Sequence, residues 1–66
     1  MEVKRYYQEI GEATKVALSR WKQLSSKREV YIYLSDYGLY VKSRVHNVAS
    51  NVLVGRITVR GKIQEV

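Results

Sequence analysis

The sequence predicts an α+β fold in which one N-terminal helix packs on one face of a three-stranded antiparallel meander sheet, in the order α-β-β-β. Apolar residues in the first third of the chain recur every three or four positions, which is the helical period. From residue 29 they alternate with polar residues, which is the period of a strand. The 66 residues are enough for one small domain, so residues 1–66 are treated as a single unit.

Residues 2–24 are predicted to form the helix. Its apolar stripe alternates spacings of four and three and consists of Val3, Tyr7, Ile10, Thr14, Ala17, Trp21 and Leu24. Trp21 is the expected core anchor of this stripe. Gly11 lowers helix stability by roughly 1 kcal/mol relative to alanine in a helix interior. It therefore indicates either a close approach of another backbone segment or a weak point in the helix. At 1.5 Å per residue this helix would be about 33 Å long and would overhang the sheet.

Three strands are predicted, at residues 29–35, 39–46 and 52–63. In the third strand the alternation places Leu53 toward the helix and Val54 away from it. Gly55 and Gly61 indicate a bend or bulge in that strand. Because connections of four or five residues favour hairpins, the expected strand order is 1-2-3.

Composition excludes several classes of protein. The chain has no cysteine, which removes disulfides, thiolate zinc sites and iron–sulfur ligation, and His46 is its one histidine. We therefore expect no metal and no cofactor. No apolar run approaches the ~18 residues of a membrane span, and the N-terminus lacks the features of a signal peptide, which favours a cytoplasmic location.

The sheet face turned away from the helix is the candidate functional surface. The net charge is +6, and the predicted face combines three tyrosines and five basic groups with no carboxylate. Apart from Val52 and Val54, its predicted residues form the candidate site: Tyr31, Tyr33, Tyr40, Lys42, Arg44, His46, Arg56, Thr58, Arg60 and Lys62. Cations neutralise phosphates and tyrosine rings stack on bases. We therefore predict a small basic nucleic-acid-binding protein, with DNA favoured over RNA.

Other functions remain open on the same residues. The face would also suit an acidic protein partner, as in a small viral or phage-type inhibitor or accessory factor, because Tyr and Arg dominate binding hot spots. A third interpretation is that the face is an ordinary polar sheet surface that contacts only solvent. Catalysis is not expected, since the predicted face holds no carboxylate and the chain has no phosphate-binding glycine motif. The small core also predicts a possible homodimer.

Overall fold

The computed structural model describes residues 5–45 and 49–65, and within these ranges the chain forms one helix and four strands. The helix α1 spans Ile10–Gln23, and the strands are β1 (Val30–Ser35), β2 (Gly38–Lys42), β3 (Val52–Ile57) and β4 (Ile63–Glu65). The strands form one antiparallel sheet in the order β2-β1-β3-β4, and α1 packs across β1, β2 and β3. The predicted α+β class, with one helix on an antiparallel sheet, is confirmed.

The core lies between α1 and the helix-facing side of the sheet. Ala13 and Ala17 are fully buried, and their small side chains let the helix backbone approach the strands closely. Trp21 is half-buried at the margin of the core, where it packs beside the buried residues. The sheet contributes the larger buried side chains Val30, Ile32, Leu39, Val41 and Ile57.

The predicted helix start at residue 2 is wrong, because the described residues 5–9 precede the helix. Tyr7 is paired with Leu39 on the outer edge of β2: the Tyr7 N–H donates to the Leu39 carbonyl at 2.7 Å, and the Leu39 N–H donates back at 2.8 Å. These bonds satisfy backbone groups that an edge strand would otherwise expose. The helix therefore has 14 residues. At about 21 Å it does not reach the predicted length.

The predicted meander order is also wrong, because β1 and not β2 lies at the centre of the sheet. Both β2 and β3 pair antiparallel with β1, so β2 and β3 run in the same direction. Strand β2 ends at Lys42 and not at residue 46, which leaves residues 43–51 to connect the two strands. This connection returns to the opposite end of the sheet, a path that a tight hairpin does not allow.

The third predicted strand, residues 52–63, divides into β3 and β4 at a tight turn. The Gly61 N–H donates to the Thr58 carbonyl at 2.9 Å, and the Thr58 N–H donates to the Lys62 carbonyl at 2.8 Å. Gly61 has a φ of 84°, a conformation that favours glycine. The bend predicted from Gly61 is thus confirmed, and it gives the sheet its fourth strand.

A β-bulge in β3 changes which side chains face the helix. Ile32 pairs with Gly55 but Tyr33 pairs with Leu53, so Val54 has no partner on β1. An extra residue in one strand inverts the alternation beyond it. Leu53 therefore shares a face with Tyr33, whereas Val54 packs against the core. The predicted orientations of Leu53 and Val54 are both wrong for this reason.

Candidate nucleic-acid interface

Five of the six tyrosines form a continuous row across the sheet face opposite the helix. Ring centroids are 5.6 Å apart for Tyr37 and Tyr6, and 6.1 Å for Tyr6 and Tyr40. The row continues at 5.5 Å to Tyr33 and at 6.3 Å to Tyr31. Tilted, edge-on and offset arrangements of this kind stabilise a fold by about 0.5–1.5 kcal/mol per pair beyond burial. The tyrosines therefore pack on one another.

The two central rings of this row are buried. Tyr33 is 6% exposed and Tyr40 is 1% exposed. Tyr6, from the segment before α1, lies edge-on to Tyr40, and the Asn51 side chain donates to the Tyr40 hydroxyl at 2.7 Å. The prediction that Tyr33 and Tyr40 are exposed on an open face is wrong, because segments before α1 and before β3 cover them.

A carboxylate lies on the face where none was predicted. Glu29 stands two residues before Tyr31 and therefore shares its side of the strand. Its Oε2 lies 3.2 Å from Arg56 Nη1, and its Oε1 accepts a hydrogen bond from the Tyr31 hydroxyl at 3.4 Å. Arg56 Nε also donates to Gln64 Oε1. Arg56 is thus engaged within the protein and offers less charge to a ligand than its type suggests.

The Glu29 carboxylate changes the chemistry of its tyrosine neighbour. Burial raises the pKa of Tyr31, and the negative charge of Glu29 and the hydrogen bond to it raise that pKa further. Arg56 acts in the opposite direction. The Tyr31 hydroxyl therefore remains a protonated hydrogen-bond donor at neutral pH.

One end of the sheet collects four chain segments. Tyr31 pairs with Lys42, and Val30 pairs with Ile57, so the start of β1 lies between the ends of β2 and β3. The β3–β4 turn follows at the same end. Trp21 of the last helical turn donates from Nε1 to the Val59 carbonyl at 3.3 Å, which brings the end of α1 to this place as well.

These segments carry most of the positive charge, and we call them the basic end. Their nine cationic side chains are Arg20, Lys22, Lys27, Arg28, Lys42, Arg44, Arg56, Arg60 and Lys62. Glu29 is the single carboxylate that the described residues place there. The basic end therefore has a formal charge of nine minus one, or +8, within a molecule whose whole net charge is +6.

Lys27 ties the linker at the basic end to the helix. Its Nζ donates to the carbonyls of Trp21 and Lys22, each at 2.9 Å, and to that of Leu24 at 3.1 Å. It also lies 4.6 Å from the centre of the Trp21 ring. A cation at a helix C-terminus satisfies carbonyls that have no partner within the helix. Lys27 is therefore mainly a structural residue, and its neighbours carry the accessible charge.

The opposite end of the molecule is acidic. It contains the start of α1 and the β1–β2 turn, whose carboxylates are Glu9, Glu12 and Asp36. Arg5, Lys15 and Glu65 lie between the two ends, since Glu65 pairs with Gly55 in the middle part of the sheet. The charge is thus separated along the strand direction.

Only part of the predicted site lies at the basic end. Lys42 is half-buried, whereas Arg44, Arg60 and Lys62 are exposed there. Thr58 begins the β3–β4 turn, and its Oγ1 accepts from the Lys62 N–H at 3.1 Å. Tyr31 and Arg56 lie next to these residues, and His46 lies outside the described residues. Sequence reasoning missed the contribution of Arg20, Lys27 and Arg28, since only the strand order brings them together with the turn.

No family model, no curated protein and no solved structure matches this chain. Among the described residues, no helix combines the length and apolar character needed to cross a bilayer. Within the same ranges no group of three or more His, Asp or Glu side chains is placed to hold a metal ion.

Proposed function

We propose that this protein is a small basic nucleic-acid-binding protein, with DNA favoured over RNA, that contacts phosphates through its basic end. The observation that supports the proposal is the collection of nine cations and one carboxylate from four separate segments at one end of a small sheet. A local excess of this size attracts polyanions and releases their counterions on contact. We expect no catalytic activity.

The arginines and lysines of the basic end would have different roles in binding DNA. Arg44 follows an edge strand and Arg60 sits in a tight turn, so both extend beyond the body of the fold. An arginine in this position can reach a groove and bind guanine with two hydrogen bonds, which favours duplex DNA. Lys42 and Lys62 flank them and would neutralise backbone phosphates.

The test is binding to labelled duplex DNA, single-stranded DNA and RNA, measured by fluorescence anisotropy over a range of salt concentrations. Affinity for the duplex should fall linearly with the logarithm of salt, with a slope of about 0.9 for each neutralised phosphate. Duplex DNA should bind more tightly than RNA of the same length. Absence of binding to all three at ~50 mM salt would rule out the proposal.

Matched variants locate the contact. Arg44→Ala and Arg60→Ala each remove one cation of the basic end, and each should reduce the salt slope by about one phosphate. Lys15→Ala removes the same charge from the exposed middle of α1 and should leave the slope nearly unchanged. Equal losses for all three variants would point to net charge alone and contradict a contact at the basic end.

A second function is favoured by apolar side chains beside the same cations. Val45 and Val59 are more than half exposed and adjoin Arg44 and Arg60 in the chain. Apolar groups next to arginine are typical of protein-binding surfaces. This arrangement would suit a viral or phage-type inhibitor or accessory factor that binds an acidic surface of a host protein.

Substitution of Val45 and Val59 distinguishes the two proposed functions. Val45→Ser with Val59→Ser should leave the affinity for duplex DNA nearly unchanged, because phosphate contacts are ionic. The same variant should abolish capture of a protein partner from nuclease-treated lysate. A cytoplasmic location and self-association also remain proposals.

A further inference from the structure

The outer edge of β4 has no neighbouring strand in the described part of the chain. β4 is last in the order β2-β1-β3-β4 and pairs only with β3. The Thr58–Lys62 bond sets the alternation, so Gln64 directs its backbone groups toward β3. The N–H and C=O groups of Ile63 and Glu65 therefore point outward.

The opposite edge of the sheet is protected. Leu39 of β2 exchanges two backbone bonds with Tyr7, and Arg20 Nη1 donates to the Val41 carbonyl at 3.0 Å. β2 thus has partners for its outward groups along most of its short length. The contrast makes β4 the edge that another strand can join.

An apolar groove of about 290 Å³ adjoins β4 on the helix side of the sheet. Ile10 of α1 and Ile63 of β4 line it and are 49% and 59% exposed. Gly11 and Gly55 also line the groove, and a Cβ at Gly11 would meet nothing within 4 Å. Covering this groove would remove apolar surface from water, which favours association.

The separation of charge indicates what joins this edge. β4 runs from the basic end toward the acidic end. A second copy that pairs antiparallel with β4 brings its basic end beside the acidic end of the first copy, and symmetry makes this contact twice. A parallel arrangement would instead place the two basic ends together, which like-charge repulsion disfavours.

We propose that two copies of this chain associate through antiparallel pairing of their β4 strands, with the two-fold axis at Gln64. In this register Ile63 of each copy faces Glu65 of the other, and the four outward N–H and C=O pairs form hydrogen bonds. The sheets join into one, with both helices on the same face and the two apolar grooves meeting across the seam. The same contact would pair the free edge of β4 and cover the apolar groove.

Sedimentation equilibrium of the full chain, without nucleic acid, tests the proposal. Wild type should show a concentration-dependent monomer–dimer equilibrium. Ile63→Ser removes an apolar side chain from the seam in each copy, without changing the charge, and should weaken the dimer by about 10-fold. Val52→Ser is the matched control, because Val52 is 58% exposed and lies at the start of β3, away from the β4 edge. It should leave the dissociation constant within ~2-fold.

A second pair of variants controls for the possibility that Ile63→Ser is misfolded. Glu65→Pro removes an outward N–H without removing a bond to β3, and Glu65→Ala keeps that N–H. The proline variant should dimerise more weakly than the alanine variant. In wild type, amide exchange at Ile63 and Glu65 should slow as concentration rises.

Three results would overturn the proposal. Wild type that remains monomeric up to ~1 mM has no such dimer. A dimer that Ile63→Ser and Glu65→Pro both leave intact uses another surface. Exchange at Ile63 and Glu65 that is independent of concentration in a dimeric sample excludes pairing through β4.

Discussion

The indole ring of Trp21 lies directly against Gly61, so that a Cβ at residue 61 would stand 2.8 Å from Trp21 Cη2. The same indole donates a hydrogen bond to the neighbouring Val59 carbonyl. This contact joins the last turn of the helix to the β3–β4 turn, and it sets the position of the cations at the basic end.

Gly61→Ala should destabilise the fold by about 1–3 kcal/mol, because it adds a Cβ clash to a positive φ of 84°. It should also weaken nucleic-acid binding by displacing the neighbouring turn cations. Urea denaturation and the anisotropy assay measure the two effects. Gly55→Ala is the control, since its Cβ would make ordinary contacts at 3.6 and 3.7 Å. Equal destabilisation by the two variants would contradict the close approach of Trp21.

Lys27→Ala should cost about 1 kcal/mol of stability, because the ammonium group satisfies three carbonyls at the end of α1. Arg28→Ala removes the same charge from the next residue, for which the described residues show no hydrogen-bond partner. It should leave stability nearly unchanged while weakening nucleic-acid binding. Thermal denaturation followed by circular dichroism compares the two variants, and a reversed order would show that Lys27 is not a helix cap.

Glu29→Gln should lower the pKa of Tyr31 toward its ordinary value, because it removes the negative charge that disfavours tyrosinate. A tyrosine pKa that is raised in the folded state stabilises the fold below the unfolded pKa of about 10, and this contribution is lost as pH rises through the folded pKa. Glu29→Gln should therefore reduce the loss of stability above about pH 10. NMR titration of the Tyr31 ring gives the pKa, and an unchanged value would contradict the Glu29 contact.

Tyr40→Ala should destabilise the protein by about 3–5 kcal/mol, as expected for truncation of a fully buried aromatic ring. Tyr37→Ala removes a ring at the exposed end of the same row and should cost less than about 1 kcal/mol. Denaturation experiments separate the two variants. Because the ring is buried, Tyr40→Ala should lose nucleic-acid binding only in proportion to its loss of folded protein. If the ring instead stacked on bases, the molecules that remain folded would also bind more weakly.

The sequence predicted the fold class well because periodicity is a local property. Alternation located β1 accurately, and Gly61 correctly indicated a break in the third predicted strand. The start of the helix was predicted too early in the chain because Tyr7 fits the spacing of the helical stripe. Only the backbone bonds between Tyr7 and Leu39 show that Tyr7 is extended. The bulge at Val54 was also beyond prediction, since its register depends on β1.

Prediction of the candidate site failed mainly at Tyr33 and Tyr40. Alternation with Ile32 in the first strand and with Val41 in the second correctly assigned the two tyrosines to the face away from the helix. Alternation does not indicate which other segments of the chain cover that face. Tyr6 and Asn51 cover the rings from distant parts of the chain. The position of Glu29, by contrast, was available from the sequence, because it continues the alternation of Tyr31 and Tyr33.

The sequence by itself determined one helix, an antiparallel sheet and a basic C-terminal half, because hydrophobic period, turn residues and charge are encoded locally. The tertiary structure decided the strand order, which side chains are buried, and where the charge lies. Placing β1 between β2 and β3 brings the linker, the end of β2 and the β3–β4 turn to one end of the sheet. Such proximity depends on long-range strand pairing, so a positive charge spread along the chain becomes the basic end only in the folded protein.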